Sequence, residues 1–67
     1  MTKWKVVSGP MNVTVQANNY DEAVERALDK AKPTRLGVLI QVTMGDTEPT
    51  YGETVNVLRR IGRLGGA

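Results

Sequence analysis

Apolar and polar residues alternate along the first part of the chain. Trp4 and Val6 alternate with lysines, and in the stretch 11–17 apolar residues occupy every second position. A period of two residues places such side chains on one face of a strand. The two stretches are separated by Ser-Gly-Pro at 8–10, and proline has no backbone N–H to donate to a sheet. The pattern predicts a β-hairpin whose inward face carries Trp4, Val6, Met11, Val13, Val15 and Ala17.

After Asn19 the spacing of apolar residues changes from that of a strand to that of a helix. Asn19 is a favourable N-cap residue, and Glu22 stands three residues later in the capping-box position. Between positions 20 and 31 apolar residues recur every three or four positions and form one stripe, while Glu22 and Arg26 are spaced for an ion pair. Pro33 disfavours helical geometry at the preceding residue, so we expect the helix to end by Lys32.

A third strand is predicted over 36–44, where β-branched and aliphatic residues are continuous. A right-handed crossover through the helix makes strands two and three parallel, and it lets strand three pair antiparallel with strand one. The strand order is then 2-1-3, with strands two and three at the edges, and residues 45–50 form a connecting loop. One face of strand three carries Leu36, Val38, Ile40, Val42 and Met44.

The C-terminal segment fits two periods. As a helix it separates apolar from basic residues, whereas as a strand its alternation is interrupted by Arg59. We favour the helix, closed by Gly62 or Gly65. The chain is then an α+β protein with the layout β-β-α-β-α, in which two helices cover one face of a three-stranded sheet. The alternative is a β-grasp fold with a C-terminal strand. The apolar helix stripe is Thr54, Val57, Leu58, Ile61 and Leu64.

Composition narrows the function classes. A chain of 67 residues forms a single small domain over 1–67, and we expect its last two or three residues to be disordered. The sequence has no Cys and no His, which removes disulfides, the usual structural zinc sites and the common nucleophile–base pairs. It also has no glycine-rich phosphate loop. We therefore expect a non-enzymatic protein with no catalytic residue, metal ligand, cofactor or small-molecule substrate.

The location of the protein follows from what its sequence lacks. No apolar stretch is long enough to span a bilayer, and the first residues do not form the apolar core of a signal peptide. We therefore expect a cytoplasmic protein with no membrane partner.

Two groups of basic residues are candidate binding surfaces. Arg59, Arg60 and Arg63 cluster on one face of the C-terminal helix, and Lys3 and Lys5 lie on the uncovered face of the sheet. Arginine and lysine bind phosphates or an acidic protein partner. RNA-binding sheets also need aromatic side chains as platforms for bases, and none is predicted on this face. Nucleic-acid binding through the basic helix face is therefore an alternative interpretation.

The stretch "VTVQANNYDEAVERAL" resembles the strand, capped turn and helix of many small α+β proteins, among them uncharacterised proteins of bacteria and their phages. In some of these a Tyr and a Thr precede a final amphipathic helix, as in "YGETVNVLRRIG". The resemblance implies a fold and no activity.

The ending "VNVLRRIGRLGG" resembles the last strand and diglycine tail of ubiquitin-like proteins, with Gly65 and Gly66 in the matching places. This resemblance implies a modifier or a sulfur carrier. Ala67 follows the diglycine, so activation at a terminal glycine would need prior trimming.

The leading interpretation is a small protein-interaction module that binds another protein or a second copy of itself. A small core gains stability from association, and an edge strand can pair with its counterpart across a twofold axis.

Overall fold

The computed structural model describes residues 2–63, which form four strands and two helices. Neighbouring strands are antiparallel, and their order across the sheet is β2-β1-β3-β4. The elements are β1 (Thr2–Ser8), β2 (Met11–Ala17), α1 (Tyr20–Ala31), β3 (Leu39–Met44), β4 (Thr50–Glu53) and α2 (Thr54–Arg60). The predicted α+β class, the two helices and the order of the first three strands are confirmed, whereas the predicted number of strands is wrong.

The β1–β2 hairpin forms as the alternating pattern predicts. Trp4 pairs with Val15 and Val6 pairs with Val13, so these side chains share the inner face of the sheet. The indole Nε1–H of Trp4 donates to the carbonyl of Ala17 at 2.9 Å, which satisfies the one polar group of a buried aromatic side chain.

Helix α1 begins and ends where its end signals predict. The side chain of Asn19 accepts from the backbone N–H of Glu22 at 2.8 Å, and the Glu22 carboxylate accepts from the N–H of Asn18 at 2.9 Å. At the other end Lys32 adopts a left-handed conformation, with φ of 46°, and donates to the carbonyl of Leu28. The chain thus leaves the helix before Pro33.

Strand β3 is shorter than predicted, because it begins at Leu39 and not at residue 36. Val7 pairs with Gln41, so residues before Leu39 lie beyond the end of β1 and have no strand on that side to pair with. Val38, predicted to face inward, is 82% exposed, and Met44 at the other end is 40% exposed.

Strand β4 is the main difference from the predicted fold. Residues 45–50 were expected to be a loop, but Thr50 already belongs to β4, which pairs antiparallel with β3. The prediction that strand three is a sheet edge is therefore wrong, and the two edges are β2 and β4. The register places Tyr51 beside Gln41 and Gly52 beside Ile40.

The C-terminal segment is helical over Thr54–Arg60, so the alternative of a β-grasp with a strand there is wrong. Gly62 is left-handed with φ of 77°. The N–H groups of Gly62 and Arg63 donate to the carbonyls of Arg59 and Leu58, which is the Schellman arrangement for ending a helix. Gly62 thus ends α2, and it is one of the two glycines that were predicted to do so. The predictions for residues 64–67, including the diglycine and the disordered end, lie outside the described residues.

Both helices pack on the inner face of the sheet. The core combines side chains of the first three strands with three from α1 and one from α2, and Leu28 and Ile61 pack partly buried against it. The predicted core positions of Trp4 and Met11 are confirmed. The buried apolar residues are Trp4, Val6, Met11, Val15, Ala17, Ala23, Val24, Ala27, Ile40, Val42 and Val57.

Candidate functional site

The three arginines of the C-terminal segment have different surroundings: Arg59 and Arg60 are the last residues of α2, and Arg63 follows the helix. The guanidinium of Arg60 lies 2.6 Å from the carboxylate of Asp21, and that of Arg63 lies 2.9 Å from the carboxylate of Asp29. Both acidic partners belong to α1, so these two arginines link α2 and the residues that follow it to α1. Arg59 is exposed and takes part in none of the three ion pairs found within residues 2–63. The helix face that was predicted as one basic surface is thus divided between contacts within the fold and a single unpaired charge.

Tyr20 occupies the junction between α1, α2 and β4. The guanidinium of Arg60 lies 5.2 Å from the centre of its ring, within the range of a cation–π contact. A Cβ atom on Gly52 would lie 3.2 Å from the Tyr20 hydroxyl, so glycine lets the helices approach the sheet here. Burial raises the pKa of the Tyr20 hydroxyl; the positive charge of Arg60 opposes this effect and the carboxylate of Asp21 adds to it. The phenol therefore stays neutral around pH 7 and acts as a packing group.

Lys3 and Lys5 lie on the outer face of the sheet, which the helices leave uncovered. Lys3 stands beside Gln16, and Lys5 stands between Thr14 and Thr43. The helices pack on the other face of the sheet, and the cations of α1 that share a shallow pocket with Lys3 at the β2 edge are Arg26 and Lys30. The structure therefore does not bring the two predicted groups of basic residues together.

The outer face also carries Tyr51, which sequence reasoning did not place. Tyr51 is 61% exposed, and the register puts it in one row across the sheet with Gln41, Val7 and Asn12. The sequence signal was the β-favouring pair Thr-Tyr between a turn-rich stretch and a helix, which is short but present. The outer face is thus mainly polar, with two lysines, the exposed apolar side chain of Leu39 and, at its β4 edge, the exposed aromatic side chain of Tyr51.

A groove of about 730 Å³ lies at the end of the molecule where α1, the following connection and α2 meet. We call this the apolar groove, because its lining includes Leu28, Leu36, Val38, Val55 and Leu58. Two of these side chains are strongly exposed: Val38 at 82% and Val55 at 52%. Apolar side chains grouped at a concave surface mark interaction sites more often than single exposed ones do.

The rim of the apolar groove is mainly basic. Lys32, Arg35 and Arg63 contribute cations to it, and Glu53 contributes the one carboxylate. Of these cations, Arg63 also forms an ion pair with Asp29 of α1. Sequence reasoning did not find this site, because its lining comes from three segments that are separated along the chain.

Within residues 2–63 no group of three or more acidic side chains is placed to hold a metal ion. Every fully buried side-chain nitrogen or oxygen in this part of the chain has a hydrogen-bond partner. No helix in it has the length and apolar character needed to cross a membrane.

Comparison with known proteins gives no relative: no protein-family model, no curated protein and no solved structure matches the chain significantly.

Proposed function

We propose that this chain is a non-enzymatic protein-interaction module that binds its partner in the apolar groove. The observation that carries the proposal is the exposure of Val38 and Val55, which lie in the lining of one groove together with partly buried leucines. Burying a valine contributes about 1.5–3 kcal/mol, so a partner that covers both side chains gains a substantial part of its binding free energy there.

The rim defines the chemistry of the partner. Lys32 and Arg35 are exposed cations beside the groove, and Glu53 is the single carboxylate among its lining residues. A segment with apolar side chains for the groove and carboxylates on either side of them is therefore complementary to this surface. Such charges contribute mainly to orientation and to the rate of association.

A peptide-display selection on the full chain tests this proposal. We expect the selected peptides to combine leucine, isoleucine or aromatic anchors with flanking Asp or Glu. Changing Val38→Ser and Val55→Ser together should weaken binding of a selected peptide by at least about tenfold, which corresponds to ~1.4 kcal/mol. Isothermal titration calorimetry measures this change. Met44→Ser, at another exposed apolar residue that is not part of the groove, is the matched control and should bind as the unchanged chain does.

Two results would contradict the proposal. One is a set of binders that lacks apolar anchors. The other is a pattern of NMR shift changes, on adding a selected peptide, that leaves the amides around Val38 and Val55 unaffected.

A second candidate function is binding of single-stranded nucleic acid on the outer face of the sheet. The observation that favours it is the position of Tyr51, which shares that face with Lys3 and Lys5 and offers an exposed ring for stacking. This version of the hypothesis places the nucleic acid on the sheet and not on the arginines of α2.

Electrophoretic retardation of random single-stranded oligonucleotides tests this candidate. We expect retardation at low salt that weakens steeply as salt is added. Changing Lys3→Ala and Lys5→Ala together should weaken it, and Tyr51→Ala should weaken it by about tenfold through loss of stacking. Arg59→Ala removes an exposed cation of α2 and is the control, which should leave the retardation unchanged. Absence of retardation at low salt would exclude this function, and a loss confined to Arg59→Ala would move the site to α2.

A further inference from the structure

The two edge strands of the sheet differ in how their backbone groups are occupied. A strand at an edge presents unpaired N–H and C=O groups to any other strand that approaches. On β2, the Nζ of Lys30 donates to the carbonyl of Thr14 at 2.9 Å, and an Nη of Arg26 donates to the carbonyl of Gln16 at 3.1 Å. Two long basic side chains of α1 thus cover this edge.

Strand β4 has no such cover among the contacts of residues 2–63. The N–H of Thr54 donates to the carbonyl of Val38 at 2.8 Å, which fixes the direction of the backbone groups along β4. Because these directions alternate in an antiparallel pair, the groups of Thr50 and Gly52 point toward β3. Those of Tyr51 and its odd-numbered neighbours point outward. Thr50, Tyr51 and Glu53 are exposed, so this edge is accessible. A shallow groove of about 680 Å³ lies between β4 and residues of the two helices.

The outward backbone groups of β4 form a specific set. Pro49 offers a carbonyl and has no N–H. Tyr51 offers both an N–H and a carbonyl. Glu53 offers an N–H, but its carbonyl is already used, because Glu53 is the N-cap of α2 and the N-cap carbonyl accepts the first hydrogen bond of the helix. The edge therefore has two donors, on Tyr51 and Glu53, and two acceptors, on Pro49 and Tyr51.

We propose that a second copy of this chain pairs antiparallel with β4 about a twofold axis at Tyr51. In this register the N–H of Tyr51 donates to the carbonyl of the partner's Tyr51. The N–H of Glu53 donates to the carbonyl of the partner's Pro49, and symmetry repeats both bonds. Each outward donor finds an acceptor, and the N–H that Pro49 lacks falls opposite the carbonyl that α2 has used.

Neighbouring registers satisfy fewer of these groups. Pairing about Gly52 would direct the N–H of Tyr51 at the carbonyl of the partner's Glu53, which the helix occupies. Pairing about Thr50 would leave the carbonyl of Tyr51 opposite the partner's Pro49, which has no N–H. The donors and acceptors of β4 are therefore all paired in only one of these symmetric registers. Because the set complements itself, the strand that fits this edge is the β4 of a second copy.

The side chains agree with the same register. Tyr51 lies on the outer face and is 61% exposed, and pairing about Tyr51 places it directly opposite the partner's Tyr51. Aromatic pairs in opposing positions on neighbouring strands stabilise a sheet. The result is one continuous sheet of eight strands, with the helices of both copies on one face. The contact uses backbone groups of β4, whereas a partner in the apolar groove covers Val38 and Val55, and Glu53 is the one residue that borders both surfaces.

The test uses the full 67-residue chain, which is short enough for chemical synthesis. An N-methyl group on the amide of Tyr51 removes the central donor and leaves the bonds to β3 in place. The matched control is N-methylation of Thr14, whose backbone groups also point outward, but on β2. By sedimentation equilibrium we expect dimers of the unmodified chain at high concentration. N-methylation of Tyr51 should weaken them by at least about tenfold, and N-methylation of Thr14 should leave them unchanged.

Two further measurements keep the outcome clear. Tyr51→Lys places like charges opposite each other across the axis and should also give monomers, even if the N-methylated chain folds poorly. Amide hydrogen exchange should show protection of Tyr51 and Glu53 that rises with protein concentration. A monomer at millimolar concentration, or equal weakening by both N-methyl groups, would overturn the proposal. Val38→Ser should leave the dimer intact, which separates this result from failure of the groove to bind a partner.

Discussion

Replacing Ile40 by alanine should unfold a large fraction of the molecules at room temperature. Ile40 is completely buried and is the largest of the fully buried side chains in residues 2–63. Changing isoleucine to alanine in a core costs about 2–5 kcal/mol, because apolar contacts are lost and a cavity remains. A domain of this size has a total stability of only about 3–5 kcal/mol. Urea denaturation followed by the fluorescence of Trp4, the one tryptophan, measures the change in the free energy of unfolding.

The control for this prediction is the adjacent residue. Leu39 belongs to the same strand but points to the outer face, where it is 50% exposed. Leu39→Ala should therefore cost less than about 1 kcal/mol, within the usual range for surface changes. Equal effects of Ile40→Ala and Leu39→Ala would contradict the placement of Ile40 on the inner face and of Leu39 on the outer face of the sheet.

The parts of the fold that were predicted correctly depend on local signals. The hairpin follows from a period of two residues around a turn with proline, and α1 follows from a period near 3.6 between Asn19 and Lys32. These signals act over a few residues, so they can be seen without knowledge of the neighbours of each strand. The helical assignment of Thr54–Arg60 likewise rests on the separation of apolar and basic side chains.

The parts that were missed depend on contacts between distant segments. Strand β4 is only four residues long and includes Gly52, so no period is established. The start of β3 is fixed by where β1 ends, and the aliphatic sequence alone extends it back through Val38. The surroundings of the predicted basic residues also depend on contacts between distant segments. Periodicity places Arg60 on a helix face, but its partner Asp21 is 39 residues away along the chain.

The tight contact between the hairpin turn and the connection before β3 leads to the second large effect. The hydroxyl of Ser8 donates to the carbonyl of Leu39 at 2.9 Å and accepts from the N–H of Gly37 at 3.0 Å. These bonds hold the backbone of Gly37 against Gly9, where neither residue has a side chain. A Cβ atom on Gly9 would lie only 2.7 Å from the backbone nitrogen of Gly37.

Gly9→Ala should therefore destabilise the protein much more than Gly45→Ala. Both glycines have φ of 56°, so the cost of the left-handed conformation, about 1–2 kcal/mol, is common to both variants. A Cβ atom on Gly45 meets nothing within 4 Å, whereas one on Gly9 collides with backbone atoms that have no rotamer to change. Forcing an extra methyl group into such a contact costs about 1–3 kcal/mol more. Urea denaturation of both variants measures the difference.

The reciprocal change provides a check on this prediction. A Cβ atom on Gly37 would lie 2.8 Å from the nitrogen of Gly9, and Gly37 does not have the left-handed conformation of Gly9 and Gly45. Gly37→Ala should therefore destabilise the protein by about 1–3 kcal/mol through this contact alone. Equal stability of Gly9→Ala and Gly45→Ala, together with little loss of stability in Gly37→Ala, would show that the connection does not pack on the turn. Because Val38 follows Gly37 directly, that result would also remove the support that positions an exposed valine in the apolar groove.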